Sequence, residues 1–262
     1  MYGFCPLASG SKGNAIFLGT KKTRILIDAG GSLLSLQKRL SELDVAIETL
    51  DAVLVTHEHI DHIQALCLLS ERYQVPIFAN AETAKGIVSY FKERATSQKF
   101  KIFTTGETFS FADLEIHPFS IPHDTLDPVG FTIRHEGLKL GFCADLGMVT
   151  PLVRKELQGC RYLYVEANHQ PSMVHSSHRP AVYKERVLGK QGHLSNEECR
   201  DLILSVYNKD LQHIHLAHLS SECNVPELAL RTVQEGLHLH GQEVDVSIAY
   251  QDRVSKPIHF EI

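Results

Sequence analysis

The densest group of side chains that can do chemistry lies in one short segment, Val53–Leu69, with the sequence VLVTHEHIDHIQALCLL. Three histidines and two acids fall within six consecutive positions of it, namely His57, Glu58, His59, Asp61 and His62. Histidine nitrogens and carboxylate oxygens are ligands that zinc, manganese and iron accept in proteins. In an extended segment, side chains two positions apart point to the same side, so His57 and His59 can share one ion.

Asp61 and His62 follow at the predicted start of a helix. They would crowd the ion held by His57 and His59, but they fit naturally on a second ion nearby. The alternative is that Asp61 is an ordinary acid of a helix N-terminus and that the histidines are loop residues. A lone histidine would favour that alternative, whereas the spacing HxHxDH favours a metal site. The predicted buried strand Val53–Thr56 ends just before His57, and α/β sheets commonly place ligand sites at the carboxyl ends of strands.

A site for two ions needs more ligands than this loop supplies, and we expect them at the ends of other strands. Four residues occupy such positions: Asp28 closes ILIDAG, His123 ends EIHPFSIPH, Asp145 follows LKLGFCA, and His218 closes LQHIHLAH. Each residue alone is explained equally well as a turn acid or a loop histidine. Because the same pattern recurs in all of them, we predict that they converge on the histidine-rich loop.

The predicted strand Leu211–His218 contains three histidines, and alternation separates them. His213 and His215 share one face, whereas His218 has the opposite parity. The first two are therefore expected to be polar groups of the strand surface or core. His218 is the candidate ligand because it falls at the end of the strand.

A basic segment, HSSHRPAVYKERVLGKQGH, runs from His175 to His193. Against one acid, Glu185, it carries four basic residues: Arg179, Lys184, Arg186 and Lys190. Two interpretations stay open, a solvated face and a set of phosphate contacts beside a metal site. Ser195 then resembles a helix N-cap with acids in the first turn, so His193 would be held just before a helix and available as an acid.

Apolar and β-branched runs alternate with helical periods along the chain. The predicted strands are Asn14–Leu18, Arg24–Asp28, Asp51–Thr56, Pro76–Ala79, Leu114–Ile121, Gly130–Arg134, Lys139–Cys143, Arg161–Glu166, Leu211–His218 and Val244–Ala249. The predicted helices are Ser32–Asp44, Ile63–Tyr73, Glu82–Arg94, Pro151–Leu157, Asn196–Tyr207 and Pro226–His240. The mixture predicts an α/β protein with two mixed sheets packed face to face and helices outside. A single-layered α/β sheet is the alternative.

Composition sets further limits on the class of protein. The 262 residues carry a formal net charge of −5, which argues weakly against a protein coated in nucleic acid, although bound divalent ions or a local patch can reverse the field. The six cysteines form no CxxC pair and indicate buried, reduced thiols. We see no linker, signal peptide or apolar run of roughly 18 residues, so we expect one domain over residues 1–262 and a cytoplasmic location.

Several motifs together resemble a known family. HEHIDH with its downstream Asp and His residues resembles the metallo-β-lactamase superfamily, whose fold is an αββα sandwich with a metal site at one edge of the sheets. LASGSKGNAIFL, PHDTLDPVGFTI, GFCADLG, VEANH, YKERVLGKQGHLSNEE and HLAHLSSECN look like the YycJ/WalJ family, members of which are described as 5′-to-3′ exonucleases on double-stranded DNA. GSKGN, GHLSNE and HLSxECN in this order are much more specific than HxHxDH.

The resemblance implies a dinuclear centre with seven ligands. It assigns His57, His59 and His123 to one ion, Asp61, His62 and His218 to the other, and Asp145 to a bridge between them. Asp28 matches an aspartate that orients the metal-site loop. By similarity to tRNase Z, Glu166 and His193 take the places of an acid and a histidine implicated in protonating the leaving group. Gln170 departs from the acid that relatives often have there, which leaves the role of His169 open, and the roles of His175 and His178 are open too.

Other branches of the superfamily fit less well. Flavodiiron proteins use HxExD, and this chain has His59 where they have glutamate. RNase J and its relatives insert a long β-CASP domain between the bridging aspartate and the final ligand. Here 72 residues lie between Asp145 and His218, so that insertion is not expected.

These features predict a metal-dependent hydrolase of phosphodiesters, specifically a 5′-to-3′ exonuclease on double-stranded DNA. Two ions of zinc, manganese or iron, about 3.5–4 Å apart, would supply a bridging hydroxide near neutral pH for in-line attack on phosphorus. The predicted catalytic residues are Asp61, Asp145, Glu166 and His193. The alternative enzyme is a hydrolase of a small ester, such as a cyclic phosphodiester, thioester or lactone, on the same ions. A hypothesis of another class is a non-catalytic metal-binding module.

Overall fold

The structure is a computed structural model that describes residues 1–96 and 98–260. The strands in these residues are β1 Gly3–Ala8, β2 Ala15–Gly19, β3 Arg24–Ile27, β4 Ala52–Leu54, β5 Ile77–Asn80, β6 Phe100–Phe103, β7 Phe109–Phe111, β8 Leu114–Ser120, β9 Val129–His135, β10 Leu138–Cys143, β11 Tyr162–Glu166, β12 His213–Ala217, β13 Asp245–Ile248 and β14 Ile258–His259. The α-helices are α1 Leu33–Ser41, α2 Ile60–Ile63, α3 Leu66–Tyr73, α4 Ala81–Phe91, α5 Glu93–Thr96, α6 Pro151–Leu157, α7 Pro171–Ser176, α8 Ala181–Leu188, α9 Asn196–Val206 and α10 Pro226–Leu239.

The strands form two mixed sheets. One has the order β14-β1-β2-β3-β4-β5-β6 and the other the order β13-β12-β11-β10-β9-β8-β7. Two mixed sheets with flanking helices confirm the predicted fold class, and the single-layered alternative is wrong. None of the helices described is long and apolar enough to cross a membrane.

The chain divides into two compact units, and the first comprises the described residues of 1–116, 125–128 and 249–262. In its sheet, β14, β1, β2 and β3 are antiparallel, and β3 to β6 are parallel. Buried residues of helices α1, α3 and α4 share a core with the strands: Leu36, Leu40, Leu66, Leu69 and Ile87 from the helices, and Leu7, Phe17, Leu26, Val53 and Ile77 from the strands. Such continuously apolar strands are typical of buried sheets. The packed core holds these strands in place, and with them the polar residues that follow their ends.

The second unit comprises His117–Asp124 and Val129–Ile248. Strands β10, β11, β12 and β13 pair in parallel, while β9 pairs with β10 antiparallel. Because parallel strands run in one direction, the carboxyl ends of β10, β11 and β12 lie at the same edge of the sheet. Their terminal residues are therefore neighbours.

Several predicted boundaries are wrong. The single helix predicted over Ile63–Tyr73 is two helices, α2 and α3, and the helix predicted over Glu82–Arg94 is divided between α4 and α5. Strand β1 was not predicted, although all six of its residues are buried. Helix α8 was not predicted either, and it lies within the basic segment. The prediction of a single domain stays a prediction.

Candidate metal centre

In the first unit, the histidine loop (residues 57–62) begins three residues after β4 and continues into α2. The rings of His57 and His59 lie 4.9 Å apart between centroids, and those of His57 and His62 lie 4.0 Å apart. Asp61 and His62 occupy the second and third positions of α2. This loop therefore gathers three imidazoles and one carboxylate into a small volume, as the spacing predicts.

Asp28 anchors the histidine loop through hydrogen bonds to Thr56 and His62. Its Oδ1 accepts a hydrogen bond from the backbone N–H of Thr56 at 2.9 Å, and its Oδ2 accepts one from the hydroxyl of Thr56 at 2.8 Å. Nδ1 of His62 donates to the same Oδ2 at 2.7 Å, and the hydroxyl of Thr56 accepts from Nδ1 of His57 at 2.9 Å. With Nδ1 of both histidines engaged, Nε2 is the atom that can bind a metal.

In the second unit, three predicted site residues occupy neighbouring strand ends. Asp145 lies two residues after β10, Glu166 is the last residue of β11, and His218 directly follows β12. Asp145 and His218 both have φ of 53°, and Asp28 of the first unit has φ of 63°. A left-handed backbone is uncommon for residues other than glycine and is found preferentially at functional sites.

Glu166 links these strand ends. The side chain is completely buried, its Oε1 lies 2.8 Å from Nδ1 of His193 and 2.9 Å from Nδ1 of His218, and its Oε2 accepts from the backbone N–H groups of Leu146 at 2.7 Å and Leu194 at 3.2 Å. Burial by itself raises the pKa of Glu166, but the charge and hydrogen bonds of the two histidines outweigh it and place the pKa below its usual range. Glu166 is therefore a carboxylate that orients two imidazoles.

Asp145 and His123 complete the polar cluster of this unit. Oδ1 of Asp145 lies 3.2 Å from Nδ1 of His218, 3.5 Å from Nδ1 of His193 and 3.9 Å from Nε2 of His123. Nδ1 of His123 donates to the carbonyl of Gly192 at 3.2 Å, which leaves Nε2 on the side of Asp145. Burial lowers the pKa of His123, which favours the neutral imidazole that a metal ligand needs.

The donor chemistry fits divalent metal ions. Asp145, Glu166, His193 and His218 each offer a ligand atom within 4.8 Å of the others. Buried imidazoles whose Nδ1 is held by a carboxylate, a hydroxyl or a backbone carbonyl are typical of metal ligands, since the outer contact fixes the ring and its tautomer. Zinc, manganese and iron all accept such mixed histidine and carboxylate sets.

His193 differs from the buried His123 and His218 because it is partly open to solvent, with 16% of its side chain exposed. The next residues build the predicted capping box, in which Ser195 accepts from the backbone N–H of Glu198 and the Glu198 side chain accepts from that of Ser195. The capped start of α9 holds His193 in place. The expected position of this histidine just before a helix is confirmed.

His213 and His215 have the role expected from strand parity. Nδ1 of His213 lies 3.0 Å from Oδ2 of Asp245, and its Nε2 lies 2.7 Å from the hydroxyl of Ser247. Both histidines are buried, with ring centroids 4.6 Å apart. They are polar groups of the sheet, apart from the strand ends.

Sequence reasoning missed several asparagines that position this cluster. Nδ2 of Asn168 donates to the carbonyl of His218 at 2.7 Å, while the side-chain amides of Asn196 and Asn224 pair with each other at 3.0 and 2.9 Å. All three are buried. Each lies in a motif quoted above, VEANH, GHLSNEE or HLSSECN, and membership of such a motif was the signal that the sequence offered.

The four basic residues that are predicted to contact substrate differ in the partners that they have within the protein. Arg179 forms a paired ion bridge with Glu222, and Nζ of Lys184 donates to the carbonyl of His175 at 2.7 Å. Arg186 donates from Nε to Oδ2 of Asp124 at 2.5 Å, and Asp124 follows His123 in the chain.

Lys190 is exposed, and its ammonium has no hydrogen bond or ion pair within residues 1–96 and 98–260. It lines two cavities of about 380 and 550 Å³, and the larger is also lined by Asp124, Arg186 and Gly192. Among the four basic residues, Lys190 and Arg186 therefore border an opening that Asp124 also lines.

The residues whose roles the sequence leaves open are His169, Gln170, His175 and His178. His169 is buried, its Nδ1 has no hydrogen-bond partner in the described part of the chain, and burial lowers its pKa. Gln170 is bound to Oε1 of Glu197 at 2.8 Å, whereas His175 and His178 are exposed. Within residues 1–96 and 98–260, none of these four residues has a hydrogen bond or ion pair with Asp145, Glu166, His193 or His218.

Comparison with known proteins identifies the family of the chain. A family model described as a β-lactamase superfamily domain matches residues 23–216. The chain is 32% identical to exodeoxyribonuclease YycJ of Bacillus anthracis over 95% of this chain and 94% of the relative, and 34% identical to exodeoxyribonuclease WalJ of Streptococcus pneumoniae over 87% and 85%. The metallo-β-lactamase-fold protein YhfI of Bacillus subtilis has a TM-score of 0.71 with 15% identity, covering 97% of this chain and 99% of that protein. The chain therefore belongs to the metallo-β-lactamase superfamily and, within it, to the YycJ/WalJ family.

Proposed function

We propose that this protein is a dinuclear metal-dependent phosphodiesterase that degrades double-stranded DNA from 5′ to 3′. The main support is the arrangement of Glu166, which holds Nδ1 of both His193 and His218 with one oxygen atom. Two relatives at 32% and 34% identity carry the name exodeoxyribonuclease, which favours DNA among possible phosphodiesters.

The proposed centre uses the seven ligands that the family resemblance implies. One ion would be held by His57, His59 and His123 and the other by Asp61, His62 and His218, and Asp145 would contribute to both. When bound, such ions lower the pKa of a water molecule and neutralise charge on the phosphoryl oxygens. We propose zinc or manganese, with iron also compatible with the ligand set.

The residues of the chain have separate tasks in this reaction. Thr56 holds Nδ1 of His57, and Asp28 holds Nδ1 of His62. Nε2 of each ring is then the nitrogen that we propose as the metal ligand. Glu166 accepts from Nδ1 of His193, which leaves Nε2 of His193 to carry the proton that the departing sugar oxygen needs. A general acid placed in this way contributes typically about 10²–10⁴-fold to the rate.

Phosphate contacts of the DNA are assigned mainly to Lys190, with a smaller share for Arg186, which lines the same cavity but is paired with Asp124. Lys190 has no competing partner among the described residues, and both residues line the larger cavity. Arg179 and Lys184 are engaged with Glu222 and the carbonyl of His175, so we assign them a smaller share. Cationic contacts with a polyanion release counterions and make binding strongly dependent on salt.

The second candidate function is hydrolysis of a small ester on the same centre. It is favoured by the cavity of about 550 Å³, a size that ordinary small-molecule sites have, and by the net charge of −5. Raising the salt concentration separates the two functions. Turnover of DNA should fall steeply with salt, whereas turnover of a small ester should change little.

The proposal is tested with duplex DNA labelled at either its 5′ or its 3′ ends, incubated with purified protein and Mn²⁺. A 5′-to-3′ exonuclease releases the 5′ label early as a mononucleotide or short product, while the 3′-labelled strand shortens progressively. The Asp145→Ala variant should release neither label. Absence of release by the wild type, or equal release by the variant, contradicts the proposal.

We also propose that residues 1–262 act as one domain without a β-CASP insertion. A single cooperative thermal transition, with coincident loss of helical signal and aromatic signal, is the expected result. Two resolved transitions would contradict it.

A further inference from the structure

Asn14 contacts two of the proposed ligands. Its side chain is buried, and it ends the turn that begins at Gly10. Oδ1 accepts from the backbone N–H of Gly10 at 2.8 Å, and Nδ2 donates to the carbonyl of Gly10 at 3.1 Å. The same Nδ2 lies 3.2 Å from Oδ2 of Asp61 and 2.9 Å from Nε2 of His62.

The backbone around Asn14 is locked to the histidine loop. The N–H of Asn14 donates to the carbonyl of Asp61 at 2.7 Å, and the carbonyl of Asn14 accepts from the N–H of Gly30 at 2.8 Å. A Cβ atom on Gly30 would lie 1.7 Å from the carbonyl oxygen of Asp61, so a side chain at position 30 would displace α2. The segments around residues 14, 30 and 61 are thereby held at fixed distances from one another.

The amide of Asn14 is suited to holding a ligand. An amide N–H group donates and has no lone pair to offer a metal, whereas the carboxylate of Asp61 has several lone pairs and can accept this bond while binding an ion through another. The side chain of Asp61 is 19% exposed. Without the amide, its carboxylate would have more freedom to rotate, while His62 would still be held by Asp28.

We propose that Asn14 is a positioning residue that fixes Asp61 as a ligand of one ion of the centre, while the ring of His62 is held by Asp28 through Nδ1. This role rests on the proposed function, because it requires that ion. Loss of a contact that orients a metal ligand typically weakens metal binding about 10- to 100-fold. The other ion, whose proposed ligands in the first unit are His57 and His59, should be little affected.

The test compares Asn14→Ala with Asn80→Ala. Asn80 is a matched control, because it is also buried in the first unit and caps α4 by accepting from the N–H of Thr83 at 2.8 Å. Nδ2 of Asn80 donates to the carbonyl of Asp127 at 2.8 Å. Asn80 therefore uses both the oxygen and the nitrogen of its side-chain amide, as Asn14 does, but away from the histidine loop. Wild type and both variants are dialysed against buffered Zn²⁺ or Mn²⁺ concentrations, the ions bound per chain are counted, and thermal unfolding is measured in parallel.

The expected result is that Asn14→Ala retains one ion at wild-type affinity and binds the other about 10- to 100-fold more weakly. Asn80→Ala should bind both ions within about twofold of wild type, even though its unfolding temperature falls. On bis-nitrophenyl phosphate, Asn14→Ala should lose kcat at limiting metal and keep KM, because the ester still binds the remaining site. If Asn14→Ala does not unfold cooperatively, Asn14→Ser replaces it, since a hydroxyl can still accept from Gly10 but is too short to reach Asp61.

Two outcomes overturn the inference on its own. In the first, the wild type binds two ions and the Asn14 variant binds both within about twofold. In the second, the Asn80 variant loses an ion to the same degree, which marks the effect as general loosening. A wild type that binds fewer than two ions instead contradicts the proposed function itself, and the role of Asn14 with it.

Discussion

Oε1 of Glu166 lies 2.8 Å from Nδ1 of His193. The same oxygen lies 2.9 Å from Nδ1 of His218, so one carboxylate orients a candidate proton donor and a candidate metal ligand. Because Glu166 is fully buried at the end of β11, neither imidazole can turn without breaking a charge-assisted hydrogen bond. The proposed acid catalysis and the proposed metal binding are therefore coupled through Glu166.

Replacing Glu166 tests this coupling. Glu166→Gln keeps the shape of the side chain but removes the carboxylate charge that holds Nδ1 of both His193 and His218, so kcat for DNA should fall at least about 100-fold. Glu156→Gln is the matched control, because Oε2 of Glu156 lies 3.6 Å from Nε2 of His117 in the same unit but away from the strand ends. Steady-state rates of both variants decide the point, and equal losses in the two would argue against a special role for Glu166.

The identity of the leaving group tests His193 separately. The sugar oxygen of DNA must be protonated as it departs, whereas nitrophenolate leaves without a proton. His193→Ala should therefore lose about 10²–10⁴-fold of its rate on DNA and much less on bis-nitrophenyl phosphate. Similar losses on both substrates would instead indicate that His193 acts through the metal centre.

Asp28 is predicted to tune metal affinity without touching the ions. Asp28→Asn weakens the acceptor for Nδ1 of His62 and for Thr56, and we expect metal affinity to fall about 10- to 100-fold. Asp51→Asn is the control, since Oδ2 of Asp51 accepts a backbone N–H from Arg24 at 2.8 Å at an exposed position. Competition with a chelator measures both variants, and wild-type affinity in Asp28→Asn would contradict the assignment.

Salt dependence separates the basic residues. Lys190→Ala should weaken DNA binding and reduce the slope of log affinity against log salt by about 1, as expected for loss of one phosphate contact. Arg179→Ala should change the slope less, because the guanidinium of Arg179 is already paired with Glu222. Fluorescence anisotropy with duplex DNA and the inactive Asp145→Ala background measures the slopes. A larger change in the Arg179 variant would reverse our ranking.

The cysteines supply a test that is independent of the metal. All six are free and buried in the described residues, and burial raises the pKa of Cys5 to about 12, of Cys67 to about 11 and of Cys160 to about 12. Since the thiolate is the reactive form, the native thiols of Cys5, Cys67 and Cys160 should react with a disulfide reagent at pH 8 at least about 100-fold more slowly than in the unfolded chain. Native rates should keep rising about tenfold per pH unit above pH 9, whereas those of the unfolded chain level off. Fast reaction of a native thiol at pH 8 would contradict the burial.

Local patterns were sufficient to predict part of the site. Strand parity separated His218 from His213, because alternation is a property of any extended segment. The pattern of an apolar strand that ends in a residue able to bind metal marked Asp28 and Asp145 as candidates. This pattern is also local, because the polar residue interrupts the apolar run at a definite point. The capping box at Ser195 also depends only on neighbouring residues.

Contacts between distant segments could not be predicted in this way. Arg186 pairs with Asp124, 62 positions away, so the charge run around Arg186 gave no sign of which cations are engaged. Asn14 lies 47 positions from Asp61, and a single buried amide has no periodicity that would mark it. Strand β1 was missed because Gly3 and Pro6 are uncommon in strands, yet its position in the sheet buries every residue.

The central claim, that two ions drive phosphodiester hydrolysis, is tested most directly by titrating metal-free protein with Mn²⁺ while counting bound ions and measuring digestion of duplex DNA. We predict two ions per chain, with hydrolysis that appears as the second ion binds, and we predict that Asp145→Ala loses both the second ion and the hydrolysis. Full hydrolysis with a single ion bound, or undiminished hydrolysis by Asp145→Ala, would contradict the claim.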